Sequence, residues 1–269
     1  MDTTTARNRA ELSGKLTNVL DSRSLTKSHK RLAEMLTEGT TVLDVGCGTG
    51  AITRGIAEAV GPNGRVVGID NNPNLIEKAR QAHGDTPGLT FETGDIYNLA
   101  YEEEFDMVTS ARVLIWLSDP LKALKMMKTA AKIGGRIVIA DYNHEKILWE
   151  PQPPASMLSF YSAYLKWRSD AGRNNAIADH LPDLFQKTGI EGITVTPQHE
   201  ITKRADSDFL TRIGIWADTA SSRGAQMERD GYLTEKEYVE AEKEYREWMM
   251  QDAQSLTMYM LAVECVRQL

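Results

Sequence analysis

The sequence predicts an α/β fold with a doubly wound, mostly parallel sheet, and three observations predict it. Apolar runs of strand length alternate with stretches of helical period between Thr41 and Tyr142, as in successive strand–helix–strand units. The first run, Thr41-Val42-Leu43-Asp44-Val45, breaks directly into the loop Gly46-Cys47-Gly48-Thr49-Gly50 and then into a helix. The second run ends in an acidic residue, Asp70. It lies about 20 positions past the loop, where a carboxylate can accept both hydroxyls of a ribose.

Composition narrows the function classes. At 269 residues the chain holds one α/β domain with insertions, or a domain and a half, with a substantial core. No run approaches the roughly 18 apolar residues of a membrane span. The start, Met1-Asp2-Thr3-Thr4-Thr5, lacks the apolar centre of a secretory signal. Cys47 and Cys265 make no disulfide or metal framework, so a cytoplasmic location is expected. The net charge of −7 argues against a broad electrostatic grip on nucleic acid; neither nucleic acid nor a membrane is expected as a partner. The five histidines are scattered without ligand-type spacing, and no metal site is expected.

In chain order, residues 1 to 38 read as polar helices. Leu12, Leu16, Val19 and Leu20 recur at helical spacing, as do Leu32, Met35 and Leu36, with the cations Arg23, Lys27, Lys30 and Arg31 between them. That cluster is either a solvated face or part of a lid. The first strand is rich in β-branched residues, as suits a strand covered on both faces. Alternate glycines let the backbone turn and let a ligand approach where a Cβ would clash. The helix beyond presents unpaired N–H groups. Asp44, two residues before the first glycine, can reach the loop or a cationic ligand group. The dinucleotide pattern G-x-G-x-x-G/A fits Gly46, Gly48 and Ala51, and D-x-G-x-G-x-G fits Asp44, Gly46, Gly48 and Gly50. Two nucleotide-type sites therefore stay open at this point.

Ile52, Ile56, Ala57 and Val60 mark the buried face of the next helix, and Gly61-Pro62-Asn63-Gly64 is a turn. Arg65 to Ile69 is the second strand. Asn72 and Pro73 fit the cap and first position of a helix. Leu89 to Glu92 is the third strand, followed by Gly94-Asp95-Ile96. There a carboxylate can accept from an exocyclic amine, and an aliphatic chain can cover a flat base. Phe105 to Ser110 is the fourth strand. Asp119 and Pro120 open a helix with Leu121, Leu124, Met127 and Ala131 inward, ending at Gly134-Gly135. Arg136 to Tyr142 is the fifth strand.

An insertion follows, rich in large side chains that include His144, Trp149, Tyr161, Tyr164, Trp167 and Arg168, with a helix from about Ala155 to Ala171. Leu181, Leu184 and Phe185 suit a short helix ended by Gly189. Ile193 to Ile201 reads as a sixth strand. A second insertion holds two helices, the later opening on the capping box Thr234-Glu235-Lys236-Glu237. Met258 to Val266 is a seventh strand. Ligands in open α/β sheets bind beyond the carboxyl ends of the strands, and both insertions leave near that side, so a helical substrate cap is expected.

The wording Leu-Asp-Val-Gly-Cys-Gly-Thr-Gly from Leu43 to Gly50 resembles motif I of class I S-adenosylmethionine (SAM)-dependent methyltransferases. Gly94-Asp95-Ile96 is similar to the family's Gly-Asp-apolar phrase. Phe105-Asp106-Met107-Val108 and Leu117-Ser118-Asp119-Pro120 resemble its motif IV segment. The resemblance runs from about 39 to 142 without a gap, and its nearest broad relatives are enzymes of the ubiquinone/menaquinone C-methyltransferase type. It implies a Rossmann-like seven-stranded sheet with helices on both faces and a helical cap, SAM as cofactor and S-adenosylhomocysteine as product. It also implies cofactor contacts at Asp44, Gly46, Gly48, Thr49, Gly50, Asp70, Asn71, Asp95, Ile96, Ser110 and Ala111. Asp44 would lie near the methionine amino group, Asp95 would receive the adenine amino group, and a cation of the amino-terminal cluster would meet the methionine carboxylate. The chain departs from the family at Trp116, where many relatives carry a histidine.

The expected organisation is an amino-terminal helical extension or lid over 1–38, a SAM-binding core over 39–142, and a helical cap insertion over 143–189. A core continuation over 190–204, a second cap insertion over 205–254 and a final core strand over 255–269 follow. Arg112, Trp116, Tyr161 and Tyr164 are the expected substrate contacts; His144 and then Tyr142 are the candidate bases. The expected activity is methyl transfer to a small, partly apolar or aromatic molecule, with a homodimer allowed. A non-catalytic SAM-binding sensor or scaffold, and less so an NAD-dependent oxidoreductase, are the alternatives.

Overall fold

The computed structural model describes residues 20, 21 and 23–268; the expected helix over Leu12, Leu16 and Val19 lies outside them. The chain divides into two compact units, one built from residues 20–142, 177–198 and 260–268 and the other from residues 143–176 and 199–259.

The first unit opens with two one-turn helices, α1 (Leu25–Ser28) and α2 (Lys30–Ala33). Then come β1 (Thr41–Val45), α3 (Ala51–Val60), β2 (Arg65–Asp70), α4 (Pro73–His83), β3 (Leu89–Thr93), β4 (Phe105–Ala111), α5 (Pro120–Ala130) and β5 (Ala131–Tyr142). Local chemistry sets the boundaries. The Asn72 side chain accepts the Asn74 N–H ahead of Pro73, and Asp119 accepts the Lys122 N–H ahead of Pro120. β5 begins at Ala131 rather than Arg136. Gly134 and Gly135 lie inside it because they exchange backbone hydrogen bonds with Arg267.

Outside that stretch, the first unit contains α7 (Ile177–Lys187), β7 (Thr194–Pro197) and β10 (Met260–Val266). Its seven-stranded sheet has the order β3-β2-β1-β4-β5-β10-β7. β1 is parallel to β2 and β4, whereas β10 runs antiparallel to both β5 and β7. One core cluster joins Leu32 of α2, Val42, Ile56, Val66, Ile76, Phe91, Met107 and Val138. Burial of such side chains, at about 1.5–3 kcal/mol each, is what fixes the helices to the sheet.

Polar contacts add direction to that docking. His29, between α1 and α2, is fully buried, and its Nε2 lies 2.9 Å from Thr109 Oγ1. Thr109 donates its only hydroxyl proton to the Val138 carbonyl. It must therefore accept from His29, which puts the imidazole proton on Nε2. Arg31 meets the buried Glu264 of β10 through two bonds of 2.7 and 2.6 Å.

The second unit contains β6 (Leu148–Glu150), α6 (Ala155–Ser169), β8 (Glu200–Lys203), α8 (Phe209–Ile213), α9 (Ile215–Arg229), α10 (Glu235–Gln251) and β9 (Ser255–Met258). Its sheet has the order β6-β9-β8 and is antiparallel throughout. The strand expected over Ile193–Ile201 is thus two strands in two sheets, and the one expected from Met258 begins at Met260, behind β9. The second insertion holds three helices rather than two. The Thr234–Glu237 capping box is formed at the start of α10. The unit has its own aromatic core: the Tyr161 and Trp216 rings lie 4.6 Å apart edge to face, and Trp149 stands 5.1 Å from Tyr161. Among the described residues no helix is long and apolar enough to cross a membrane.

Two outcomes test the docking of the amino-terminal helices. Arg31→Ala strands a buried carboxylate and should lower stability by about 2–3 kcal/mol in urea unfolding, with Glu264→Gln recovering part of the loss. Burial and the nearby Arg112 hold the His29 imidazole down to about 3, against an ordinary 6.5. Between those values the unfolded chain takes up a proton that the folded chain refuses. Stability contributed by neutral His29 is therefore complete above about pH 6.5 and is lost as pH falls toward 3. His29→Gln should flatten that acid limb by up to about 1.4 kcal/mol per pH unit, read by urea unfolding across the range.

Candidate functional site

The site is built at the carboxyl ends of four adjacent strands, β3, β2, β1 and β4. The Ile69 carbonyl accepts both the Gly46 and Cys47 N–H groups, at 2.6 and 3.0 Å, which ties the glycine loop to β2. Gly46 sits at φ +80°, and a Cβ there would overlap Val113. A Cβ built on Gly48, at φ +58°, would make ordinary contact with Leu20 Cδ1 at 3.6 Å. Close packing at Gly46 and a left-handed backbone at both positions thus keep the loop glycine.

Asp70 is half-buried at the end of β2. Its carboxylate accepts from the Gly48 N–H at 3.0 Å and the Asn72 N–H at 2.9 Å. Burial pushes its pKa up, opposed by those backbone donors. Asn71 beside it is exposed. Asp44 is buried and accepts the Thr53 hydroxyl at 2.7 Å. Desolvation raises it to about 6, with the Asp70 charge adding to the rise. Thr49, also buried, has a hydroxyl without a partner among the described residues. Gly50 precedes α3 and gives it no side-chain cap, so the first-turn N–H groups remain available to a ligand. The Cys47 thiol is pushed up by burial and by both carboxylates, which keeps it protonated and unreactive.

On the β3 side, the Gly94 N–H is tied to the Asp70 carbonyl at 3.0 Å. Asp95 accepts the Tyr97 N–H at 2.9 Å and caps a single 3₁₀ turn whose first residue, Ile96, is buried. On the β4 side, the buried Ser110 hydroxyl donates to the Val45 carbonyl at 2.8 Å, beside half-buried Ala111.

Arg112 follows at φ +62°, a backbone state uncommon for a side chain other than glycine. The buried guanidinium donates from Nε to the Tyr142 hydroxyl at 2.7 Å and to the Ser28 carbonyl at 2.8 Å. Trp116 ends the next 3₁₀ turn, half-buried. Asp141, beside Tyr142 and fully buried, accepts the Ile115 N–H at 3.0 Å.

The expected cofactor contacts are therefore gathered along one sheet edge, together with Arg112, Trp116 and Tyr142. His144, Tyr161 and Tyr164 belong to the other unit. There Tyr161 donates its hydroxyl to the His144 carbonyl at 2.6 Å, and the His144 ring stands 5.7 Å from Trp216. Burial and Arg168 both hold the His144 imidazole well below its ordinary value. His29, Ser28 and Thr53 escaped the sequence reading. Only the short polar phrase Ser28-His29 within apolar spacing marked the first two, and nothing local announced that Thr53 answers Asp44.

Comparisons with known proteins place the chain in a family. The methyltransferase-domain family matches residues 36–187, more than half of the chain. A demethylmenaquinone methyltransferase of Lactococcus lactis is 29% identical over 181 residues, covering 62% of this chain and 71% of that protein. One of Staphylococcus aureus is 38% identical over 105 residues, 39% of this chain and 44% of that protein. An uncharacterized 37.1 kDa protein in a Streptomyces fradiae transposon is 30% identical over 170 residues, 63% of this chain and 48% of that protein. The chain thus spans about half the length of two of these three relatives. A SAM-dependent methyltransferase from Aquifex aeolicus shares the fold at TM-score 0.55 and 17% identity, over 95% of this chain and 99% of that one. Haemonchus contortus phosphoethanolamine N-methyltransferase 2 does so at TM-score 0.55 and 18% identity, over 90% of this chain and 52% of that one. The chain belongs to the methyltransferase-domain family.

Proposed function

We propose that the protein is a SAM-dependent methyltransferase that alkylates a small, partly apolar acceptor by in-line displacement. The observation that carries this reading is the row of carboxylates beside the glycine loop, Asp44 on β1, Asp70 at the end of β2 and Asp95 two residues past β3, at the ends of three adjacent strands of the sheet. The row suits a ligand that offers, in order, an ammonium group, a pair of ribose hydroxyls and an exocyclic amine. The unpartnered Thr49 hydroxyl and the uncapped start of α3 supply donors for the ligand's carboxylate. A dinucleotide fits less well, because a buried acidic group at Asp44 would oppose its pyrophosphate.

SAM, when bound, supplies the activated methyl group; the chain supplies placement and proton handling. The Arg112 Nε–H donates to the Tyr142 oxygen and holds the phenol in place at the carboxyl end of β5. Acting as a base from its ionised form, Tyr142 would take up the acceptor's proton, while SAM would supply the methyl group and leave as S-adenosylhomocysteine. The proton then leaves Tyr142 for solvent. His144 is less suited, since burial and Arg168 both oppose its protonated form. Trp116 would form an apolar wall for the acceptor. The relatives named for demethylmenaquinone support an apolar ring as the acceptor class.

Titration calorimetry with SAM, S-adenosylhomocysteine and NAD tests the cofactor. Both adenosyl ligands should bind, and Asp70→Ala should weaken them at least about tenfold, the worth of one charged hydrogen bond. NAD binding alone would overturn the reading, and SAM binding without turnover on any screened acceptor would leave a sensor or scaffold. Tyr142→Phe should lower kcat by about 100-fold or more while leaving S-adenosylhomocysteine affinity nearly unchanged. Asp44 should give SAM binding a pH dependence. With its carboxyl raised to about 6, the charged form that attracts an ammonium is lost as pH falls through 6. Affinity should drop by up to about tenfold per pH unit below that point, and Asp44→Asn should remove the slope.

A further inference from the structure

The small sheet of the second unit has one covered face and one bare face. Paired residues share a face, and the face alternates along each strand. Leu256 and Thr202, paired with each other, are buried, as is Met258. The outward positions form two rows across the sheet. Leu148, Thr257 and Ile201 make one; Glu150, Ser255 and Lys203 make the other. Leu148 is 65% exposed and Ile201 49%, among the most exposed large apolar side chains described. The row beyond them is continued by Tyr259, with Lys146 over its ring at 4.7 Å and His199 beside it at 4.5 Å.

The two rows are complementary to themselves. A two-fold axis laid along β9, in the plane of the face, exchanges β6 with β8 and keeps each row in register. Leu148 then meets the second copy's Ile201, and Thr257 meets its own equivalent. Glu150, on one edge, meets the second copy's Lys203, on the other, and the reciprocal pair forms by symmetry. An axis across the strands would instead set Leu148 against a carboxylate. Among the described residues neither Glu150 nor Lys203 has an ion-pair partner within its own chain. Glu150 takes only the Ser255 hydroxyl, at 3.2 Å. Sheets packed face to face lie about 10 Å apart, a gap these side chains span.

We infer that the outward face of the β6-β9-β8 sheet is an interface between two copies of this chain. Leu148 and Ile201 form its apolar centre, and Glu150 and Lys203 form its crossed ion pairs. A face three strands wide is small beside the roughly 1,200 Å² of standard interfaces, so the dimer is reversible and its dissociation constant is read from a concentration series.

Sedimentation velocity of the full chain from micromolar to near-millimolar concentration tests this, with circular dichroism confirming that each variant is folded. The unaltered chain should pass from monomer to dimer, and Leu148→Asp should stay monomeric. Glu150→Lys and Lys203→Glu, each alone, set like charges opposite one another twice per dimer and should raise the dissociation constant about tenfold or more. The two together restore opposite charges in reversed order and should return it to within about threefold of the original. A chain that is monomeric throughout, or a dimer indifferent to all four variants, overturns the inference. So does a monomer retained by phospholipid vesicles through Leu148 and Ile201, which would make the face a membrane contact instead.

Discussion

The carboxylate of Asp70 is the contact on which the site depends. Its two oxygens accept from Gly48 and from Asn72, so one side chain holds the glycine loop and the start of α4 at once. The loop is also pinned through Ile69, whose carbonyl takes two successive N–H groups. With the backbone fixed at both places, the direction of α3 follows. A charged group used this way has a second property: it still carries lone pairs toward the ligand side. One carboxylate holds two segments in place, and substitution there loosens both.

Charge is buried around this point with little direct pairing, and that shapes how the site responds to acid. Asp44 is answered by a hydroxyl, not by a cation. Burial and the Asp70 charge disfavour its ionised form, against the Thr53 hydrogen bond. Arg112 shows the converse arrangement. Its guanidinium donates to a phenol oxygen and a backbone carbonyl, and its charge adds to the burial that keeps His29 neutral. The left-handed backbone at Arg112 is tolerated because these contacts over-determine it. A low-dielectric environment strengthens each of these interactions and makes each unpaired state costly.

Much of the sheet unit was legible in the sequence because its signals are local. The glycine loop, the caps at Asn72 and Asp119 and the apolar runs each state their structure within a few residues. The parallel character of β1, β2, β4 and β5 fits strands joined by helices. What failed to show was partnership. Ile193–Ile201 keeps a strand-like pattern across Gln198 and His199, yet Val195 pairs with Val263 while Ile201 pairs with Thr257. Periodicity tells that a segment is extended and which residues share a face. It does not tell which sheet the segment joins. Gly134-Gly135 misled in another way: it reads as a helix end, but its N–H and carbonyl groups are taken up by Arg267, from the far end of the chain. The bond from Thr53 to Asp44 and that from Arg112 to Tyr142 are likewise products of the fold, invisible to spacing.

The aromatic residues of the insertions show why side-chain type alone is a weak guide to a binding surface. Tyr161 and Tyr164 read as substrate contacts because large rings suit an apolar acceptor. Within their own unit they are nearly covered, packed edge to face around Trp216. A separate unit of about a hundred residues must bury apolar area to hold its own helices together, and rings supply the most area per side chain. Their first duty is therefore cohesion. Arg112, Trp116 and Tyr142 carry a different signature: a strained backbone, a half-buried ring and a phenol bonded to a guanidinium, at the carboxyl ends of β4 and β5. Cohesion alone requires none of these, so acceptor chemistry is better sought there than among the rings of the second core.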